Sequence, residues 1–362
     1  MSNCRFMYSN LITSESMLTV NSLKTGIVTT AKKEGSGSAT MTPSGAFAGS
    51  ADLEYLVEIQ SIAAGAEVGL ATFRWSDNAG GGWSASNVPT SATNILLNNG
   101  VYVKWTAGSG ADFVVGDKWY FKGVNLYNPG KMLDLERDHG YRSLALLAPN
   151  TVIIDLGSSQ QVKALIIYDH NLTSAATITI DADAAATFNS GAGGAPELTE
   201  TVTWASGKIL HYLAAATTKR YWRLSITDAA NPDLYVEIGE LYLGSYMELS
   251  RNFRQGFSKP LSFIYDSNKT PYGIKKKRFY NRQRSFSYKF NALSTTDLAL
   301  LEALLESISD KSAGTLNPFF FNDDSAIVAN NWLVELDGIP ETHEVMSHYQ
   351  TTLDMTEILK SV

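Results

Sequence analysis

A single cysteine, Cys4, stands among 362 residues, so no disulfide can form within the chain and a small fold held together by bridges is excluded. A lone thiol fits folding in a reducing cytoplasm. Long apolar runs are missing too: no stretch of about 20 apolar residues could cross a bilayer as a helix. Met1-Ser2-Asn3-Cys4-Arg5-Phe6 has no basic region followed by an apolar one, so neither a secretory signal nor a membrane partner is expected. Positive charge is in the minority, 29 Lys and Arg against 36 Asp and Glu for a net −7. Nucleic acid is therefore disfavoured as a partner, because its binders neutralise phosphates with excess cations.

The motifs of catalysis are also absent. There is no Gly-x-Ser-x-Gly elbow, no His-Glu-x-x-His, no Gly-x-x-x-x-Gly-Lys-Ser/Thr loop and no Cys/His set with zinc spacing. No catalytic residue, cofactor or metal is assigned, and the chain is not expected to be an enzyme. Of the five histidines, His139, His170, His211, His343 and His348, the last two are read as solvated surface. Asp169-His170 could pair a carboxylate with an imidazole, but without a nucleophile it reads as a polar strand-to-loop junction. Asp181 and Asp183 share a face of an extended segment, yet two carboxylates fall short of the six to eight oxygens a calcium ion takes.

What the sequence does contain is strands. The hydrophobic fraction of 44% is ordinary for a globular protein, and the length allows about two or three domains. In Tyr221 to Ile226 one face carries Tyr221, Arg223 and Ser225 and the other Trp222, Leu224 and Ile226, the period of a half-buried strand. Val152-Ile153-Ile154-Asp155-Leu156 and Ala164-Leu165-Ile166-Ile167-Tyr168 are apolar without alternation, which predicts strands covered on both faces or crossing the middle of a sandwich. The run Arg220 to Ile226, followed by Val236 to Gly244 and preceded by Ile166 to Leu172 and Ala176 to Ile180, resembles the later strands of the discoidin-like β-sandwiches of bacteriophage tail proteins. That resemblance implies a binding or scaffolding module.

Residues 30–124 differ in composition, being rich in Gly, Ser, Ala and Thr with turn clusters at Asp77 to Gly82 and Asn98-Asn99-Gly100. Strand candidates lie between the turns at Tyr55 to Ile59, Ala71 to Trp75, Val101 to Trp105 and Lys118 to Phe121. The expected organisation is a discoidin-like jelly-roll sandwich over 1–29 and 125–249, interrupted by a small inserted β-domain over 30–124. From 250 to 362 the pattern changes again. Phe286, Tyr288 and Phe290 share one face of a strand, and a helix is predicted over Leu298 to Ile308 with Leu301, Leu304, Leu305 and Ile308 on one stripe and Ser294 or Thr295 as its cap. With the Pro318-Phe319-Phe320-Phe321 strand that follows, this order resembles the tail-tube-like, ring-forming domain of siphophage distal tail and minor tail proteins. The fold class expected is mainly β with one packed helix.

Two clusters stand out as binding candidates. Lys275, Lys276, Lys277, Arg278 and Arg282, interleaved with Phe279 and Tyr280, form a basic run read as contacting an acidic protein partner in preference to nucleic acid. Trp75 and Trp83, flanking a Gly-rich loop with Asp77, are candidates for stacking on a sugar ring, although Trp is more often core, as expected of Trp105 and Trp119. The resemblance implies a structural protein of the phage tail near its tip, assembled in the host cytoplasm. It would form a homo-oligomeric ring of three or six copies and touch tube, hub or fibre proteins. The alternative is a carbohydrate-binding module for a host surface glycan attached to the tail.

Overall fold

Asn150–Tyr168 and Lys208–Thr227 are the strands around which the middle of the chain is built. In the computed structural model they pair antiparallel, with register shifts between Asp155 and Gln160 and between Val162 and Ala164. Extra residues at such bulges bend and twist a strand pair, so each strand serves two layers. The leading half of Asn150–Tyr168 pairs with the trailing half of Lys208–Thr227, and this layer is extended by Leu18–Val20, Thr177–Asp183 and Leu198–Val202. Ala164 to Tyr168 and Lys208 to Tyr212 form a second layer with Glu240–Gly244. Both layers feed one core, in which Trp222, Ile154, Leu165, Ile180 and Leu243 are fully buried. The result is the mainly β sandwich expected. The structure describes residues 3–135, 137, 139–254, 256–269, 275–310, 314–338, 342–345 and 348–359, with only the backbone of 268–269, 275–276 and 342–345.

The two apolar runs of the sandwich behave differently. Val152, Ile154 and Leu156 are buried while Ile153 and Asp155 are partly exposed, so this run alternates after all and only one of its faces is core. Ala164 to Tyr168 is buried throughout. Leu165 and Ile167 point into the sandwich, whereas Ile166 and Tyr168, with Leu210 and Tyr242, pack outward onto Met7, Phe320 and Leu333. A second sheet, from the C-terminal residues, covers that outer face.

That second sheet has the order Arg5–Met7, Phe319–Asn322, Asn331–Leu336, His348–Glu357, Lys275–Leu293, Leu261–Lys269. Its first strand comes from the region read in the sequence as the opening of the sandwich, and it pairs instead with Phe319–Asn322. Phe6 makes this pairing favourable by inserting among Phe290, Phe319 and Phe321, with ring centroids 5.0 to 6.4 Å apart. The helix, Thr295–Ile308, lays Leu301, Leu304 and Ile308 against the same core as Phe286, Tyr288 and Phe290. Ser294 caps it reciprocally with Asp297. Burial opposes the charge on Asp297, but hydrogen bonds from Ser250 and Ser294 outweigh it and hold the carboxyl at about 2.

Ile27–Val28, Lys118–Val124, Leu53–Ser61, Thr72–Ser76 and Ala85–Pro89 form one sheet of the Gly-rich region, with Lys32–Glu34 also on Lys118–Val124. Thr40–Gly45, Val101–Thr106 and Ile95–Leu96 form the other. Between them lies an aromatic core in which Trp105 and Trp119 meet edge-on at 6.2 Å. The chain enters and leaves at one neck. Asn125 donates from Nδ2 to the carbonyls of Lys24 and Gly49, and a Cβ on Gly26 would lie 2.1 Å from the Val124 carbonyl oxygen, an approach only glycine permits.

Candidate functional site

The register of the larger sheet of the Gly-rich region decides what it shows to solvent. Lys118 pairs with Glu58, Tyr120 with Leu56 and Lys122 with Glu54, while Glu58 pairs with Arg74 and Leu56 with Ser76. Side chains alternate across a strand, so Tyr55, Val57, Trp119 and Phe121 turn into the core. Glu54, Leu56, Glu58, Arg74, Lys118, Tyr120 and Lys122 then share the outer face. Arg74 bonds Glu58 at 2.9 Å and stacks over the Trp83 ring at 4.0 Å, fixing that half-exposed indole above the sheet. On the same side of the sheet a groove of about 430 Å³ is lined by Thr29, Thr30, Glu54, Ala79, Tyr120 and Lys122; Trp83 and Arg74 are not in its lining. Glu54 and Lys122 form an ion pair there. The face combines aromatic rings with hydroxyl, carboxylate and ammonium groups, the chemistry that stacks on a sugar ring and bonds its hydroxyls.

The predicted members of this site divide. Trp83 is on the surface, 37% exposed. Trp75 is in the core beside Tyr55, because it shares strand parity with Phe73 and not with Arg74. Asp77 braces the loop: Oδ2 accepts from Asn98, Oδ1 accepts from Ser84, and Asn98 in turn accepts from the Tyr55 hydroxyl. Tyr120, Lys122 and the threonines were not foreseen. Their signal was the alternation of Lys118, Tyr120 and Lys122 with Trp119 and Phe121.

The basic run lies on a long hairpin, Leu261–Lys269 and Lys275–Leu293. Lys277 stacks over Tyr265 at 4.3 Å and Arg278 over Tyr280 at 5.3 Å. Arg282 is exposed on the same strand, and the side chains of Lys275 and Lys276 lie outside the described residues. Around these cations Phe263 and Phe279 meet edge to face at 5.7 Å, yet are 59% and 55% exposed.

Elsewhere the polar candidates have structural partners. Asp169 binds Arg137 through both oxygens. His170 is buried, which lowers its basicity, with Nε2 at the Ala205 carbonyl and Nδ1 accepting from the Leu172 N–H. Asp181 bonds Arg223 and Thr199, and Asp183 accepts backbone N–H groups of Ala185 and Ser190. His211 meets Glu200 at 2.9 Å and His139 lies beside the Tyr127 ring. His348 is exposed, and the side chain of His343 lies outside the described residues. Among the described residues no group of three or more His, Cys, Asp or Glu is placed to hold a metal, and no helix is long and apolar enough to cross a membrane.

No protein-family model and no curated protein matches the chain. Among solved structures it is similar to chitosan-binding module 1 of a Paenibacillus sp. IK-5 chitosanase/glucanase, at 22% identity and TM-score 0.26, over 34% of this chain and 88% of that one. A Streptococcus pneumoniae fucose-binding module matches at 14% identity and TM-score 0.26, over 34% and 89%. A Ruminococcus gnavus GH29 fucosidase matches at 13% identity and TM-score 0.27, over 34% of this chain and 23% of the enzyme, so the chain spans under a quarter of that enzyme's length.

Proposed function

We propose that the chain is a non-catalytic glycan-binding protein whose inserted unit meets the sugar and whose C-terminal unit carries it in an assembly. The observation that supports the binding half is the outer face of the larger sheet of the Gly-rich region, which carries both the Trp83 indole held by Arg74 and a groove lined by Tyr120, Thr29, Thr30, Glu54 and Lys122. Affinity electrophoresis against host surface polysaccharides tests it. The wild type is retarded, and Trp83→Ala or Tyr120→Ala weakens retardation about tenfold, the scale of one lost stacking contact. Retention unchanged in both variants, or absent from the wild type across the panel, removes the reading.

A second reading, a structural subunit of a phage tail near its tip, is favoured by the hairpin. Residues 261–284 carry seven Lys and Arg against one Asp, a net +6. The whole chain is −7, so the remainder carries −13. A basic, aromatic hairpin bare on both sides suits the acidic body of a second copy, and such head-to-tail contacts close into rings. The ring of three or six, the tube, hub or fibre neighbours, and the virion tail as its location belong to this reading. Mass photometry of the purified protein tests it: closed oligomers support it, and a monomer at micromolar concentration counts against self-assembly.

A further inference from the structure

On the C-terminal sheet, the segment after Phe253 runs alongside Lys275–Leu293 out of step with it. Arg254 donates its N–H to the Lys289 carbonyl, and Ser258 exchanges both backbone bonds with Ser287. Four residues are therefore traversed on one side for two on the other. Gly256 in this stretch has a φ of +93°, in the left-handed region open to glycine. A depression of about 390 Å³ is lined by Arg254, Gly256, Phe257, Ser258, Ser287, Lys289 and Thr352.

The lining has one chemical character. Register places Lys289 opposite Thr352 and Ser287 opposite Asp354, so the Lys289 ammonium shares the outward face with the Ser287 and Thr352 hydroxyls and one carboxylate, Asp354. Asp354 stands on the neighbouring strand and does not line the depression. Most cations with a defined partner in this acidic chain meet a carboxylate, as Arg5, Arg74, Lys122, Arg137, Arg220 and Arg223 do. Neither Arg254 nor Lys289 has one among the described residues. Two like charges left facing one hollow repel each other, and an anion between them removes that cost.

We propose that this depression is an oxyanion-binding site, taking a phosphate, sulfate or carboxylate group through the Arg254 guanidinium and the Lys289 ammonium, with Ser258, Ser287 and Thr352 donating hydroxyl hydrogen bonds. Arginine supplies the planar fork that matches an oxyanion and lysine the point charge. The Phe257 ring walls one side, which suits an anionic group carried on a larger, partly apolar body such as a sugar ring.

Isothermal titration of the full chain with inorganic phosphate and, separately, with digalacturonate, at ionic strength fixed with chloride, tests the assignment. Saturable binding of at least one probe is expected. It should weaken about tenfold or more in Arg254→Gln/Lys289→Gln and stay unchanged in Arg251→Gln, whose side chain is outside the depression. Binding of phosphate alone identifies a phosphate-type ligand, and binding of digalacturonate alone a carboxylated one; either supports the site. Both positions are exposed, so thermal unfolding of the double variant should match the wild type. No saturable binding of either probe, or equal affinity in the double variant, overturns the proposal.

Discussion

Leu165-Ile166-Ile167-Tyr168 and Ser262-Phe263-Ile264-Tyr265 are near-equivalents as sequence, and both are strands. The first is shut in on both faces, by the sandwich core on one side and by Met7, Phe320 and Leu333 on the other. In the second, Phe263, Ile264 and Tyr265 are 59%, 40% and 44% exposed. Apolar area left in water forgoes about 25 cal/mol per Å² of burial, so a strand of this composition standing bare is where the proposed assembly contact would form. The same residues stabilise a fold in one place and offer a contact in the other.

Unfolding energies break or sustain that comparison most directly. Ile167→Ala should cost about 2–4 kcal/mol in urea unfolding followed by tryptophan fluorescence, since the site is closed on both sides. Ile264→Ala should stay within about 0.5 kcal/mol. A large loss for Ile264→Ala would mean that the hairpin is held by contacts within its own chain. Association should answer in the opposite sense: Phe263→Ser with Phe279→Ser lowers the oligomer fraction in mass photometry, as does raised salt, while leaving thermal stability in place.

The covered side of the sandwich carries a test by pH. Glu240 is 1% exposed. Burial, reinforced by Asp134 and Asp169, pushes its carboxyl up to about 8 from an ordinary 4.5. A folded value above the unfolded one means that the folded state keeps a proton the unfolded chain has lost. This contribution is fully present below pH 4.5 and fades as pH rises to about 8. Melting temperature measured across that range should fall, and Glu240→Gln should flatten the slope. Lys208, on the same covered face, is lowered by burial to about 8, so its penalty on folding is relieved between about 8 and its ordinary 10.5. The smallest expected change is Ser294→Ala, about 1 kcal/mol through the lost helix cap. It acts on the buried half of Lys275–Leu293, whose other half is the bare hairpin, so an effect on association as well would show that the two halves are coupled.

Much of this fold was written in local pattern. The helix declared itself through its leucine stripe and Ser294, and the Tyr221 to Ile226 strand through alternation. The bare and covered strands were not distinguishable, because period and composition describe a strand and not what lies against it. Arg5–Met7 was unreadable for another reason: three residues carry no period, and their partner lies at Phe319–Asn322. In the candidate face, strand parity already separated Trp75 from Arg74 and Tyr120 from Trp119. Trp83, in a loop, had no parity to read, and its place depends on the Arg74 guanidinium beneath it.

The pairing of Arg5–Met7 with Phe319–Asn322 also sets a timetable. A ribosome makes the first of these strands long before the second, at about 5–20 residues per second. During that interval Phe6 and Met7 have no sheet to join, while the inserted unit and most of the sandwich can already close around their own local contacts. The later-made strand then has to find a segment that emerged much earlier, the kind of non-local closure that slows folding. For that stretch of synthesis the nascent chain carries a loose, apolar segment, which is when a chaperone would have something to hold.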